Sequence, residues 1–194
     1  RYQSRNRHEF PNPHHYLYKP IRKTVAALSE KLNTLASGYI GVFGPPGSGK
    51  STFLTQTLRA MPIRLIRYYI YVPDSQDPSI LRGESTNFFH DVTLRLWQMG
   101  FSNSTQPDPT DRFALIKRFH EQLQCLGQDY VKTGVKTIIL VDGLDHIARE
   151  QNPERSLLAD LPHPNAIPEG VYIIFGSQTI SLPDLPPRIS HLLS

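Results

Sequence analysis

The segment GPPGSGKS at residues 44–51 constrains the fold of this chain more than any other. It matches the pattern G-x-x-x-x-G-K-[S/T] without a mismatch. The apolar run YIGVF at residues 39–43 predicts a buried strand before it, and a helix is predicted after it, from about Lys50 to Ala60. Glycines allow a tight loop whose backbone N–H groups point inward, and the following helix directs its positive end to the same place. The segment therefore predicts a phosphate-binding loop.

The loop is predicted to hold a nucleoside triphosphate. We expect the Lys50 ammonium to contact the β- and γ-phosphates and to act in catalysis, and the Ser51 hydroxyl to ligate Mg²⁺. The expected nucleotide is ATP, with GTP as the alternative. The residues predicted to bind it are Gly44, Pro45, Pro46, Gly47, Ser48, Gly49, Lys50, Ser51 and Thr52.

The second motif is acidic and follows a predicted strand. The run IILV at residues 138–141 ends in Asp142, which a parallel sheet would place at its carboxyl edge, where ligands bind in open α/β folds. Asp142 is expected to hold Mg²⁺ through water. Asp145 is predicted to be catalytic by orienting or polarising the attacking water, with helix capping or an arginine pair as the alternative. For His146, a solvated loop position is favoured over a γ-phosphate contact.

Apolar periodicity predicts strands that alternate with helices, which indicates a parallel sheet in a three-layer α/β sandwich. The predicted strands cover residues 39–43, 64–72, 136–141 and 171–175, and a fifth begins within 188–193. The first predicted helix begins at Pro20 and is stopped by Gly38. The others are predicted over about 50–60, 87–99, 111–132 and 154–161, and Asp111 is expected to cap the helix at 111–132.

Composition excludes several classes of protein. No apolar run approaches the ~20 residues that cross a bilayer, so the predicted compartment is the cytoplasm and no membrane partner is expected. The single cysteine, Cys125, excludes an internal disulfide framework and a cysteine-built zinc site.

Residues 1–23 carry six Lys/Arg against one acid, whereas the net charge of the rest is −1. We predict a basic arm over residues 1–19 and one domain over 20–194, and nucleic-acid binding is expected only through the arm.

Three phrases together resemble the NACHT-type branch of the STAND family, which comprises signal-transduction NTPases related to the AAA+ ATPases. The first is GPPGSGKS at 44–51 and the second is IILVDGLDH at 138–146. The third consists of Leu-Pro at 161–162 followed by Ile-Pro-Glu-Gly-Val at 167–171. The resemblance implies a P-loop NTPase sandwich with a five-stranded sheet. It further implies that the strand carrying Asp142 is not adjacent to the strand leading into Gly44.

The same resemblance implies a Mg-ATP-dependent switch. Nucleotide state would control homo-oligomer assembly, and assembly would activate an effector domain elsewhere in a longer, multidomain protein with its own sensor, as in bacterial antiviral defence. Ser177 and Gln178 fall at the family's sensor position, where an arginine is often found, and His146 replaces a usual glutamate. Because both departures remove groups that would assist the transition state, slow ATP hydrolysis is expected.

Two other functions stay open on the sequence. One is a scaffold with a degenerate, non-catalytic site that holds nucleotide for structural reasons, as His146 and Gln178 suggest. The other is a small-molecule or nucleoside kinase. Such kinases usually carry an arginine-rich lid, whereas residues 100–193 contain five scattered arginines and no cluster, which disfavours the kinase.

Overall fold

A computed structural model describes residues 22–71, 81–102, 108 and 110–193. The predicted arm at residues 1–19, the predicted start of the first helix at Pro20 and the end of the predicted second strand at Val72 lie outside the described residues. The strands are β1 (Gly38–Phe43), β2 (Arg64–Tyr69), β3 (Thr137–Asp142) and β4 (Val171–Ser177). The α-helices are α1 (Arg22–Thr34), α2 (Lys50–Arg59), α3 (Ser85–Gln98), α4 (Arg112–Thr133) and α5 (Pro187–Leu193).

The four strands form one parallel sheet in the order β1-β4-β3-β2. Every residue of β3 and β4 is buried, as expected of central strands in a sheet covered on both faces. Strand β4 lies between β1 and β3, so the strand that carries Asp142 is not adjacent to the strand that leads into Gly44. This part of the expected topology is confirmed.

Alternate residues of each strand supply two separate cores, because successive side chains point to opposite faces of a sheet. Ile138 and Leu140 belong to a core that also contains Leu28 of α1 and Leu54 of α2. Ile139 and Val141 belong to the other core. There they join residues of α3 and α4, including Phe88, Phe89, Phe119 and Leu123. The predicted three-layer α/β sandwich is therefore confirmed.

Helix α4 begins and ends as its sequence predicts. The Asp111 carboxylate accepts a hydrogen bond from the Ala114 N–H at 2.9 Å, which caps the first turn. Gly134, with φ of 70°, terminates the helix in the left-handed conformation. Although α4 has 22 residues, no helix in the described part of the chain is long and apolar enough to cross a membrane.

Two predicted elements are wrong. The fifth strand expected within residues 188–193 is helix α5, which begins at Pro187 and buries Ile189 and Leu193, four residues apart on one face. The sheet of the described residues therefore has four strands rather than about five. The helix expected at 154–161 is a single 3₁₀ turn, Leu157–Asp160, whose first turn is capped by the Ser156 hydroxyl.

Candidate nucleotide-binding site

The predicted phosphate loop connects β1 to α2. Its first residue, Gly44, donates its N–H to the Ser177 carbonyl at 3.3 Å, which ties the loop to the end of β4. Gly47 and Gly49 have φ of 71° and 80°, a conformation that residues with a Cβ rarely adopt. Gly49 precedes α2 without a side-chain cap, so the first N–H groups of the helix have no intrahelical or capping acceptor and can bind an anion.

The Lys50 side chain turns back over this loop. Its ammonium donates hydrogen bonds to the Gly44 carbonyl at 2.6 Å and to the Pro45 carbonyl at 3.0 Å. Lys50 is the first residue of α2, where the helix dipole also favours negative charge. The ammonium and the helix therefore direct positive charge to the same short segment of chain.

The two predicted magnesium ligands line the same cleft. Asp142 is the last residue of β3 and is 3% exposed, and the Ser51 side chain lies near enough to its carboxylate to lower the pKa of that group. Burial raises the pKa of Asp142, and hydrogen bonds from Ser51 and from the Gly143 backbone, with the nearby Lys50 charge, partly offset this. One hydroxyl and one carboxylate, both hard oxygen donors, fit Mg²⁺, which binds few protein oxygens when phosphates complete its shell.

Asp145 lies at the same edge of the sheet, with a side chain that is 9% exposed. Its Oδ1 accepts a hydrogen bond from the Gln178 N–H at 3.1 Å. Its Oδ2 is buried without a hydrogen-bond partner and lies 3.5 Å from Nη1 of Arg149. Asp145 therefore lines the cleft and also forms the arginine pair that was the alternative to a catalytic role, and the catalytic role stays a prediction.

His146 is not the solvated loop residue that was favoured from the sequence. Its side chain is 16% exposed and its ring stacks on Tyr71, with 4.5 Å between ring centroids and 8° between ring planes. Nη2 of Arg149 lies 3.0 Å from Nδ1 of His146. Sequence reasoning missed Tyr71 and Arg149 as site residues. The four-residue spacing between Asp145 and Arg149 was the available signal for the arginine.

The two sensor candidates differ in position. Ser177 is fully buried, and its hydroxyl accepts a hydrogen bond from the Thr179 N–H at 3.4 Å. Gln178 follows it and lines the cleft above the sheet. Of the two, Gln178 is therefore the one placed to contact a bound phosphate.

These residues surround a cleft of about 340 Å³, which is within the usual range for small-molecule sites. It is lined by Pro46, Gly47, Gly49, Lys50, Ser51, Thr52, Asp142, Gly143, Asp145, His146 and Gln178. The structure thus brings together most of the residues predicted from two distant motifs. Gly44, Pro45 and Ser48 belong to the loop but do not line this cleft.

The fold is similar to that of a solved Walker-type ATPase of Pyrococcus abyssi. The TM-score is 0.50 and the sequence identity 17%, over 88% of this chain and 48% of that chain. The Aeropyrum pernix ORC2 protein, solved as ADPNP–ADP complexes, matches with a TM-score of 0.48 and 13% identity, over 92% of this chain and 48% of that chain. This chain thus spans about half the length of each.

No protein-family model and no curated protein matches the sequence. The likeness to the Walker-type ATPase supports the P-loop NTPase fold. The narrower NACHT assignment stays a prediction from the three sequence phrases.

Proposed function

We propose that this chain binds Mg²⁺–ATP and hydrolyses it slowly, as a nucleotide-dependent switch. The observation that carries the proposal is that Ser51 at the start of α2 and Asp142 at the end of β3 line one cleft together with Lys50. It joins the phosphate loop to the acidic motif at one edge of the sheet, beside the Lys50 ammonium. A chance match of the loop pattern would not place a buried carboxylate there.

Each of these groups has a separate role in binding. The N–H groups of the loop and of the first turn of α2 donate to phosphate oxygens, and Lys50 leaves its loop carbonyls to contact the β- and γ-phosphates. Ser51 and Asp142 would hold Mg²⁺, the first through its hydroxyl and the second through water. When bound, Mg²⁺ neutralises charge on the phosphates. GTP is the alternative nucleotide.

Asp145 is proposed to position the attacking water. Asp145 lines the cleft, the Gln178 N–H holds its Oδ1 in place, and its Oδ2 makes no hydrogen bond although Nη1 of Arg149 lies 3.5 Å away. In this proposal, Asp145 turns from Arg149 to the water when nucleotide binds. Among the described residues that line the cleft, Lys50 supplies the one permanent positive charge. Because little other charge is available to stabilise the transition state, we expect hydrolysis to be slow.

The role as a switch rests on the resemblance to NACHT-type proteins, and the order of the strands supports the fold that such a role requires. In this proposal, nucleotide state controls assembly with further copies of the chain, and assembly activates an effector domain in a longer signalling or defence protein. The partners are therefore its own subunits and the effector and sensor domains of that protein.

Binding is tested by titrating a fluorescent ATP analogue into the protein in the presence of Mg²⁺. We expect saturable binding to the wild type and loss of binding in Lys50→Ala. The control is Lys117→Ala, which removes a lysine whose side chain is 81% exposed on α4, and it should bind as the wild type does. A folded wild-type protein that binds neither ATP nor GTP would rule the proposal out.

A scaffold that only holds nucleotide is the second candidate, and the Asp145–Arg149 pair favours it because the carboxylate is already engaged by a cation. Phosphate release by wild type and Asp145→Asn separates the two. A switch predicts a rate reduced by about 10²-fold in the variant, with ATP affinity retained. A wild-type protein that binds ATP and releases no phosphate above the buffer background would establish the scaffold instead.

A further inference from the structure

Both oxygens of the Asp145 carboxylate are engaged by other groups of the protein. Oδ1 accepts a hydrogen bond from the Gln178 N–H at 3.1 Å. Oδ2 pairs with Nη1 of Arg149 at 3.5 Å, and Nε2 of His146 lies 3.8 Å from it. Because Oδ2 is buried beneath these groups, no water molecule can reach it until one of them moves. The carboxylate as it lies in this structure therefore cannot position an attacking water.

The two groups that cover Oδ2 differ in how they are held. The His146 side chain is 16% exposed, and its ring is stacked on Tyr71. The Arg149 side chain is 48% exposed, and its Nη2 lies 3.0 Å from Nδ1 of His146. An ion pair with a half-exposed member contributes little net free energy, because water solvates the cation almost as well. Arg149 is therefore the covering group that can leave Oδ2 at the lower cost.

Arg149 reaches Asp145 from outside the nucleotide cleft. Asp145 lines both that cleft and a neighbouring cavity of about 480 Å³, whereas Arg149 lines the neighbouring cavity and not the cleft. Arg149 lies in the turn Ile147–Gln151, which is π-helical. Such turns are rare in proteins and are often found at functional sites. The pair therefore links a residue of the cleft to a side chain outside the space in which nucleotide is proposed to bind.

We propose that the Asp145–Arg149 pair is the resting state of the site and that it weakens the binding of ATP relative to ADP. The inference rests on the proposed function, in which Asp145 turns to a water beside the γ-phosphate. To make that turn, the carboxylate must leave Arg149, and the free energy of the lost pair is subtracted from that of ATP binding. ADP has no γ-phosphate and no attacking water beside it, so ADP binds with the pair intact. Arg149 thus acts through Asp145, as a positioning residue.

This bias against ATP would keep the switch in its resting state. At a fixed ratio of ATP to ADP, a lower relative affinity for ATP decreases the fraction of chains that carry ATP. The strength of the Asp145–Arg149 pair sets the size of the bias. Because one member of the pair is half exposed, the bias is limited to about fivefold, equivalent to about 1 kcal/mol.

The bias is tested by calorimetry with two nucleotides in the presence of Mg²⁺: ADP, and the ATP analogue AMP-PNP, which resists hydrolysis. Arg149→Gln removes the charge and keeps part of the length of the side chain. We expect it to bind AMP-PNP about three- to fivefold more tightly than the wild type does, equivalent to about 0.6–1 kcal/mol, and to bind ADP equally well. The matched control is Arg95→Gln at an exposed position on α3, which should bind both nucleotides as the wild type does.

Three results of these titrations would overturn the proposal. An unchanged AMP-PNP affinity in Arg149→Gln would show that the pair has no cost for ATP binding. Weaker AMP-PNP binding would show that the guanidinium contacts the nucleotide instead of restraining Asp145. Equal changes in the affinities for ADP and AMP-PNP would show that the effect does not depend on the γ-phosphate.

The opening of the pair is followed directly by the NMR signal of the Arg149 side-chain Nε–H, which is assigned by its loss in Arg149→Gln. In the nucleotide-free protein, Asp145→Asn should shift this signal, because the charge beside the guanidinium is removed. Mg²⁺–AMP-PNP should move the wild-type signal towards its position in Asp145→Asn, and Mg²⁺–ADP should leave it in place. An Nε–H signal that saturating AMP-PNP does not move would contradict the opening of the pair.

Neither measurement requires ATP hydrolysis, so the inference and the proposed function can fail separately. If AMP-PNP opens the pair and the wild type releases no phosphate from ATP, the proposed hydrolysis is wrong and the bias stands. If the wild type hydrolyses ATP and the pair stays closed, the bias is wrong and the proposed function stands. If the folded wild type binds neither nucleotide, both are wrong.

Discussion

Oδ1 of Asp142 occupies the space that a Cβ atom on Gly176 would fill. The two residues are register partners on the neighbouring strands β3 and β4. Gly176 has no positive φ in this structure, so the need for glycine is one of space and not of backbone conformation. The position of the buried Asp142 carboxylate thus depends on the absence of a side chain at Gly176 in the neighbouring strand.

Replacing Gly176 by Ala should displace Asp142 from Ser51. We expect weaker Mg²⁺-dependent ATP binding together with a loss of stability of about 1–3 kcal/mol, because the added methyl overpacks the sheet. ATP titration and chemical unfolding measure the two effects. The matched control is Gly127→Ala on α4, whose Cβ would meet the Pro168 side chain, which precedes β4 at the opposite end of that strand from the site. That variant should lose stability and keep its ATP affinity, and the idea fails if both variants bind ATP equally well.

Asp142→Asn should raise the thermal midpoint of unfolding at pH 7 while weakening Mg²⁺–ATP binding. Burial raises the pKa of Asp142 in the folded protein, so its ionised form is penalised there relative to the unfolded chain. Stability from this group therefore falls as pH rises from the unfolded pKa through the raised folded pKa. An uncharged amide of the same shape avoids that penalty. The native carboxylate thus lowers the stability of the fold in favour of function, as active-site residues often do.

The advantage of Asp142→Asn should shrink as the pH falls, since the wild-type carboxyl is increasingly protonated in the folded protein as the pH falls through its raised folded pKa. Thermal unfolding of both proteins at pH 7 and at pH 5 measures this change. A lower midpoint for the variant at pH 7 would contradict the account of a carboxylate held at a cost for metal binding.

Asp160 joins three separate parts of the chain. It accepts hydrogen bonds from Ser85 at 2.6 Å, Arg112 at 2.7 Å and Arg155 at 2.8 Å, and its side chain is 8% exposed. Burial by itself raises the pKa of this carboxyl, but the hydrogen bonds from Arg155, Ser85 and Arg112 outweigh it and the pKa is lowered. We expect Asp160→Asn to cost about 2 kcal/mol at neutral pH, because it leaves two arginines without their carboxylate.

Because the folded pKa of Asp160 is depressed, its contribution is present above the unfolded pKa and is lost as pH falls through the folded value. The difference between wild type and Asp160→Asn should therefore be full at pH 7 and decrease below about pH 4. Urea unfolding at a series of pH values follows it. Glu121→Gln, which removes a 62% exposed partner of Lys117, is the control and should change stability by no more than about 0.5 kcal/mol.

Local sequence was sufficient for the central strands and for the phosphate loop. The run at 138–141 is apolar at every position, which is typical of a strand covered on both faces, and all six residues of β3 are buried. The cap of α4 by Asp111 could also be predicted from local sequence, since a capping side chain acts within one turn of its own helix. These features depend on interactions between residues that are close in sequence.

The features that sequence reasoning missed depend on contacts between distant residues. The segment 188–193 contains apolar residues at spacings that suit a short strand as well as a helix, and its packing against β1 is made by the helix α5. The Tyr71–His146 stack joins the ends of β2 and β3, and the Gly176–Asp142 relationship requires the register of β3 on β4. No single segment contains that information.

The most direct test of the central claim is the Mg²⁺ dependence of ATP affinity, measured by calorimetry on wild type and Asp142→Asn. The account predicts one ATP per chain and an affinity at least about tenfold higher with Mg²⁺ in the wild type, equivalent to about 1.4 kcal/mol. In the variant, this gain should largely disappear. An ATP affinity that is the same with and without Mg²⁺ in the wild type would contradict the claim that Ser51 and Asp142 form a magnesium site.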